Sequence, residues 1–477
     1  MAPSNWFEGG PPEQARMPVP PSINFLSQKY LYNPLDFPYY LAKMRFSKPK
    51  GLHSIIHSML ETQRNSEQVS TIQKHGRFWE TFRSLRHRNY RLFWFGQMIS
   101  LIGTWMQSVA QGWMVLRLSN SPFLLGVVSA FAGLPVLFFS LPAGVLADRV
   151  KKRKFLIFTQ SSAMFLAFIL AFLTFTGLVR VWHVMFLALC LGLVMAFDAP
   201  IRQAFVKEMV GREDLLNAIA LNSFIFNSAR ILGPAAAGIL ISLTGEAGCF
   251  FINGLSYLAV IAGLSLMKIE DVVFQSKNST FLASTKEGIS YVVRNKKTLA
   301  LILMVSTMSI FGFSYAVLMP VFARNILKAG PSGLGFLMSA VGIGAITAGL
   351  GLASRKTEEK LKYMQAGIIV FFLSLILFSF SGNLFLSLIF LVGAGWGMIS
   401  LIATCNTLLQ EIVPDHLRGR VMGLFVMMFM GTMPIGSFIA GTLGQVLGVI
   451  WAVRIGVVFC VVISLYLFKR FIQKEVM

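Results

Sequence analysis

The chain has 477 residues, of which 55% are hydrophobic and only 13% charged. A soluble chain of that length would divide into several domains and carry roughly a quarter charged residues. An ordinary soluble protein is therefore excluded, and a mean hydropathy of +0.67 places the chain in the membrane class. The formal net charge of +22 would suit a nucleic-acid binder only if it lay on a folded surface. The distribution of Lys and Arg along the chain excludes that reading.

Residues 1–90 differ from the rest. Met1–Ser22 is rich in Pro and polar residues, a composition that favours disorder. Phe25–Met59 mixes aromatics with Lys43, Arg45, Lys48 and Lys50, which suits either contact with an anionic leaflet or a solvated tail. Phe78–Arg91 reads as a basic, amphipathic lead-in to the membrane. No pattern of a cleaved signal peptide precedes it.

From Leu92 onward, apolar runs of about 20 residues, the length that crosses a bilayer, alternate with short breaks. The spacing predicts spans at 92–117, 122–147, 155–177, 181–200, 217–243, 247–268, 298–323, 332–353, 363–382, 384–409, 420–446 and 449–470. The central connection, Ile269–Lys297, is longer, and Phe281–Asn295 within it reads as a surface amphipathic helix. Cys190, Cys249, Cys405 and Cys460 all fall in apolar runs without metal spacing, so they read as small apolar fillers. The expected architecture is an all-α membrane protein of twelve transmembrane helices in two six-helix bundles. Its parts are a basic tail (1–90), a first bundle (91–268), a linker (269–297), a second bundle (298–471) and a short C-terminal tail (472–477).

Charge fixes the expected orientation. With the N-terminus inside, 36 of the 42 Lys and Arg lie on the inner side. Arg117, Arg180, Arg324 and Lys328 lie outside, and Arg230 and Arg454 fall within spans. That asymmetry places both termini in the cytoplasm and accounts for the net charge without nucleic acid. A repeat supports the two halves. Glu208, Gly233 and Gly238 recur as Glu411, Gly436 and Gly441, each displaced by 203 residues, and Arg88-Asn89 recurs as Arg294-Asn295. Parallel halves of this kind enclose a site at the membrane midplane and rock against each other.

The most organised stretch is GVLADRVKKRK, Gly144–Lys154, a short basic loop between two spans. Gly144, Asp148, Arg149, Lys152 and Arg153 resemble the loop between the second and third spans of the major facilitator superfamily, with Lys151 where that family usually has Gly. Gly233, Pro234 and Gly238 resemble the fifth-span Gly-Pro motif of its exporters, with Ala237 replacing one Gly. SLIGTWMQSVAQGW, LPAGVLADR and FDAPIRQAFVKEMVGREDLLNAIALN resemble the enterobactin-exporter branch, which also includes macrolide and other drug exporters. The resemblance covers roughly residues 88–470. It implies export in exchange for protons from a bacterial inner membrane, with Gly144, Asp148, Arg149, Arg153, Arg202, Gly233, Pro234 and Gly238 serving gating.

Gln97, Ser100, Thr104, Gln107 and Gln111 step by three or four residues and so form one polar stripe on the first span. They suit either a polar ligand or contacts between helices. Asn227 and Arg230 lie on the fifth span. Arg230 is about 20 Å along that helix, so it must face a cavity or a partner. The expected substrate contacts are thus Gln97, Thr104, Gln107, Gln111, Asn227 and Arg230. Asp198 is the only acid placed inside a span and is the expected proton site. The alternative is a salt bridge with Arg202, four residues on, or with Arg230. No Gly-rich phosphate loop argues for ATP, no His pair suits haem, and no nucleophile–base set argues for an enzyme. No cofactor or metal is expected. The reading is a secondary transporter exporting a small polar or amphipathic molecule, with a siderophore first. Broad drug efflux, a lipid flippase of the same fold and a transporter-like sensor are the alternatives.

Overall fold

A computed structural model describes residues 81–147, 149–269 and 281–472. The chain divides into two units, Met1–Phe78 and Trp79–Met477, and all the described residues belong to the second. The expectations for the tail before residue 81, for Asp148 and for residues 473–477 lie outside the described residues.

Among the described residues the chain is helical, without strands. The first bundle comprises α1 (Arg88–Ser119), α2 (Pro122–Ala147), α3 (Lys152–Phe175), α4 (Val181–Val210), α5 (215–244) and α6 (246–265). The last two form one continuous helical stretch except at Gly245, where φ is +72°. Only glycine adopts that conformation cheaply, so the chain turns there. After a linker helix, Phe281–Arg294, the second bundle comprises α7 (Lys296–Ile326), α8 (Gly330–Ala353), α9 (Thr357–Phe380), α10 (Leu384–Ile412), α11 (Asp415–Val446) and α12 (Val449–Ile472). Among the described residues, ten stretches are long and apolar enough to cross a membrane. Splitting one at Gly245 and adding α1, which is more polar but has 32 residues, gives twelve helical passes among the described residues.

Several passes are interrupted. Pro200 does not break α4, which runs on to Val210, so Asp198 and Arg202 do share a face. In α7, a π-helical turn at Met308–Gly312 precedes Phe313. In α11 the helix is broken between Met430 and Met433. Freed backbone groups at membrane depth are tolerated where the segment lines a cavity or is buried in protein.

α8 packs on the α5–α6 stretch and α11 on α2, joining the bundles. The hydrogen bonds between bundles lie towards the end away from the basic loops. Ser121 Oγ meets Gln445 Oε1 at 2.8 Å, Arg324 Nη1 donates to the Leu116 carbonyl at 3.1 Å, and Ser339 Oγ donates to the Ile231 carbonyl at 2.7 Å. Towards the basic end, Gly144 on α2, Gly349 on α8, and Gly419 and Gly423 on α11 have nothing within 4 Å of the place a Cβ would occupy. The bundles meet at one end and part at the basic end. Among the described residues, no helix approaches Gly144, one of the expected gating residues, in this conformation.

Candidate functional site

A cavity of about 470 Å³ lies between the bundles, lined by α1, α2, α5, α7, α8 and α11. Its walls are mostly apolar and include Trp105, Phe313, Met319, Met338, Met430 and Met433. Among its lining residues Arg230 alone is charged, and Ser108, Gln111, Ser129, Tyr315 and Ser437 supply the other polar side chains. The Arg230 guanidinium stands 5.9 Å from the centroid of the Trp105 ring, within cation–π range. Trp105 in turn meets Phe226 edge-on at 5.8 Å. A cation at this depth is tolerated where it faces a cavity, and Arg230 does.

A second cavity, about 630 Å³, lies nearer the basic end against α1, α4 and α5, lined by Gln97, Arg202, Gln203, Lys207, Asn222, Phe226 and Asn227 among others. Phe226 borders this cavity and Trp105 borders the central one, so the aromatic pair stands between them.

The expected polar stripe of α1 is divided among three settings. Gln111 lines the central cavity and Gln97 the second. Gln107 is buried and accepts a 2.7 Å hydrogen bond from Asn253 of α6. Thr104 donates to the Ser100 carbonyl at 2.9 Å. Thr104 and Gln107 line neither cavity, and Gln107 instead ties α1 to α6. Asn227 lines the second cavity while its amide donates to the Ser223 carbonyl at 2.8 Å.

Asp198 is completely buried. Its Oδ1 accepts from Thr159 Oγ1 and Gln160 Nε2, both at 2.8 Å. Its Oδ2 accepts no hydrogen bond and lies 3.4 Å from Arg202 Nε. Arg202 Nη1 donates to Gln97 Oε1 at 2.8 Å. The structure thus brings Asp198, Arg202 and Gln97 together, with Arg202 standing between the buried carboxylate and the second cavity. Arg230, the other basic residue considered for Asp198, lines the central cavity instead.

The gating set is dispersed. Arg153 donates to the Leu264 and Ser265 carbonyls at 2.7 Å each, satisfying the last turn of α6. Arg149 is exposed. Gly233 lies against Trp105 of α1, and Pro234 and Gly238 against Gly335 of α8. The sequence reading missed two ion pairs: Lys152, which is buried, with Glu208 at 2.7 Å, and Lys360 with Glu411 at 2.6 Å. The repeated glutamates were the signal, since each holds a lysine near the start of the preceding helix of its bundle.

Comparison with known proteins agrees with this architecture. The family model described as transmembrane secretion effector matches residues 79–476. The chain is 26% identical over 400 residues to a staphyloferrin A transporter of Staphylococcus aureus, covering 80% of this chain and 96% of that one. It is 27% identical over 372 residues to the multidrug efflux pump Tap of Mycolicibacterium fortuitum, covering 75% and 89%. Among solved structures, an inward-facing, unoccupied bacterial homologue of the human lysosomal transporter Spinster superposes with a TM-score of 0.65 at 14% identity, over 81% of this chain and 98% of that one. These matches span nearly the whole twelve-pass unit, and the chain belongs to the transmembrane secretion effector family of the major facilitator superfamily, membrane transporters rather than enzymes.

Proposed function

We propose that the chain exports a small amphipathic molecule bearing an anionic group, taking it from the cytoplasm through the central cavity in exchange for protons. The observation that carries this reading is Arg230, the one charged side chain on an otherwise largely apolar wall. Such a wall binds apolar surface, while a guanidinium supplies a charge-assisted contact for a carboxylate or similar group. The excess of Lys and Arg at the open end supports placing that end and both termini in the cytoplasm of a bacterial inner membrane, so that the cavity receives cytoplasmic substrate. The bundles, near 91–268 and 298–471, then rock about the site.

For the substrate, a siderophore is the first reading, supported by Arg230 and by likeness to the staphyloferrin A transporter. Broad drug efflux is the second, favoured by Met319, Met338, Met430 and Met433 on the cavity wall. Flexible methionines repack around unlike ligands. Asp198 is the proposed proton carrier, with Arg202 as its ion-pair partner. Growth under iron starvation with and without the gene, with chelator assayed in the medium, separates the readings. Loss of exported chelator supports siderophore export; unchanged chelator with raised drug sensitivity supports drug efflux. No change in either refutes both.

A further inference from the structure

Arg454 is the second basic residue inside a predicted span, and the central cavity does not use it. It lies five residues past the start of α12, at the end of the molecule away from the basic loops. Its Nε donates to Ser379 Oγ of α9 at 2.9 Å. Its guanidinium carbon lies 3.8 Å from the Phe380 ring centroid and 5.1 Å from that of Trp451. Three contacts therefore fix the group's position, yet none of them neutralises its charge. The rings that flank it are themselves 70% and 57% exposed. They do not face the central cavity, to which neither α9 nor α12 contributes a lining residue.

This end of the second bundle supplies no acid. The sequence holds no Asp or Glu across 318–340, 372–392 or 440–460, the segments that form it. The acids of that bundle and its linker helix, such as Glu287, Glu411 and Asp415, belong to the basic end, where each pairs with a basic residue. A guanidinium at a bilayer boundary without a protein counter-charge takes one from outside the chain. The available anion there is the phosphate of a lipid headgroup. The exposed rings on either side suit the boundary between headgroups and acyl chains, where aromatic side chains collect.

We propose that Arg454, Ser379, Phe380 and Trp451 form a binding site for the headgroup phosphate of an anionic phospholipid in the leaflet opposite the basic loops. The Nη groups of Arg454 are the phosphate donors, Ser379 fixes the plane of the guanidinium, and the rings exclude water from its faces. A lipid with net negative charge neutralises the site, whereas a zwitterionic headgroup supplies a phosphate and a competing cation. The proposal is independent of what the transporter carries.

The test uses the full chain purified in a neutral detergent, with retained lipid counted by native mass spectrometry and melting followed by intrinsic fluorescence. Phosphatidylglycerol, phosphatidylcholine, and the water-soluble headgroup glycerophosphoglycerol are titrated separately. The expected result is preferential retention of phosphatidylglycerol with a rise in melting temperature. Arg454→Gln should weaken that binding about tenfold or more, as expected for loss of charge-assisted hydrogen bonds. Arg454→Lys should retain part of it, because the charge remains while the planar fork is lost. Trp451→Leu, which keeps the arginine, guards against misfolding of the charge variants and should weaken binding by a smaller factor. Equal phosphatidylglycerol binding by wild type and Arg454→Gln would overturn the site. An equal response to glycerophosphoglycerol would overturn the lipid assignment in favour of a soluble anion. No preference over phosphatidylcholine would overturn the charge argument.

Discussion

Gly335 of α8 lies so close to Pro234 of α5 that a Cβ on Gly335 would sit 2.3 Å from the Pro234 carbonyl oxygen. The same contact occurs across the other half of the interface, where a Cβ on Gly126 of α2 would sit 2.5 Å from the Ser437 carbonyl oxygen of α11. Ser437 follows Pro234 by 203 residues, the displacement of the sequence repeat, and Gly335 follows Gly126 by 209. The next contacts obey the same relation. Gly335 meets Gly238 as Gly126 meets Gly441, and Gly342 meets Ile231 as Gly133 meets Pro434. The two halves thus dock through one contact used twice, and backbone touches backbone because neither glycine carries a side chain.

Bulk at this contact should prise the bundles apart at the end where they now meet. Gly335→Leu cannot be accommodated by rotamer changes, because the obstructing atom is a backbone carbonyl. Overpacking of this kind costs about 1–3 kcal/mol, and each 1.4 kcal/mol is about tenfold in population. The expected outcome is a shift away from the conformation open at the basic end, by about tenfold. Spin labels on α2 and α11 near Gly144 and Gly423 should report shorter distances in the variant. Unchanged distances would show that the contact does not set the equilibrium.

Gln107 and Gln111 lie on one helical stripe yet should respond oppositely to removal. Gln107→Ala leaves the Asn253 amide without its 2.7 Å partner inside the bundle. Side-chain hydrogen bonds between membrane helices average about 0.6 kcal/mol and reach about 1.7, so thermal stability should fall by an amount in that range while substrate affinity holds. Gln111→Ala should leave stability unchanged and alter affinity, because Gln111 lines the central cavity. Melting curves and equilibrium binding on the same preparations decide the matter. A binding defect in Gln107→Ala without loss of stability would contradict the assignment.

That pair also shows where the sequence stopped being legible. The passes were readable because runs of apolar residues of bilayer length need no tertiary context, and the α5–α6 turn was readable because Gly245 lies in a break between two such runs. A stripe four residues in pitch shows which side chains share a face, but not whether that face meets a neighbouring helix or a cleft. The rotation and tilt of α1 against α6 decide that, and they come from packing over the whole bundle. The same holds for Asp198. Its spacing from Arg202 was evident, but Thr159 and Gln160 reach it from α3, 39 and 38 residues away in the chain.

The connection between α4 and α5 should carry a pH dependence in acid. Asp214 receives His87 Nε2 at 2.7 Å and also pairs with Arg83. The hydrogen bond from His87, followed by the contact with Arg83, holds its carboxyl below the ordinary value of 3.8. A carboxyl depressed in the folded state stabilises the fold fully above its unfolded value, and that contribution is lost as pH falls through the folded value. Asp214→Asn should therefore lower the melting temperature at about pH 5, with the gap to wild type closing as the medium is acidified below about pH 4. A gap that stays constant into acid would mean that the carboxylate's charge plays no part.

Asp198 and Arg230 should separate coupling from binding. Asp198 is completely buried, with two neutral donors on Oδ1 and Arg202 as its ion-pair partner. Asp198→Asn retains an oxygen for Thr159 and Gln160 but has no charge to exchange, so export driven by a pH gradient should be lost while substrate binding survives. Arg202→Gln removes the counter-charge. A buried carboxylate stripped of its partner is destabilising by about 3–5 kcal/mol unless it takes up a proton, so this variant should lose coupling and also melt lower. Arg230→Ala removes a cation that faces the cavity and has the Trp105 ring beside it. It should weaken binding of anionic substrates by about tenfold or more, leave uncharged ones nearly unaffected, and change stability little. All three are measured in vesicles with an imposed pH gradient, with binding followed separately on detergent-solubilised protein. Normal gradient-driven export by Asp198→Asn would reduce the Asp198–Arg202 pair to a structural contact within α4 and move the proton site to another acid. An equal loss of neutral and anionic binding in Arg230→Ala would instead assign that arginine to the architecture of the cavity rather than to recognition of charge.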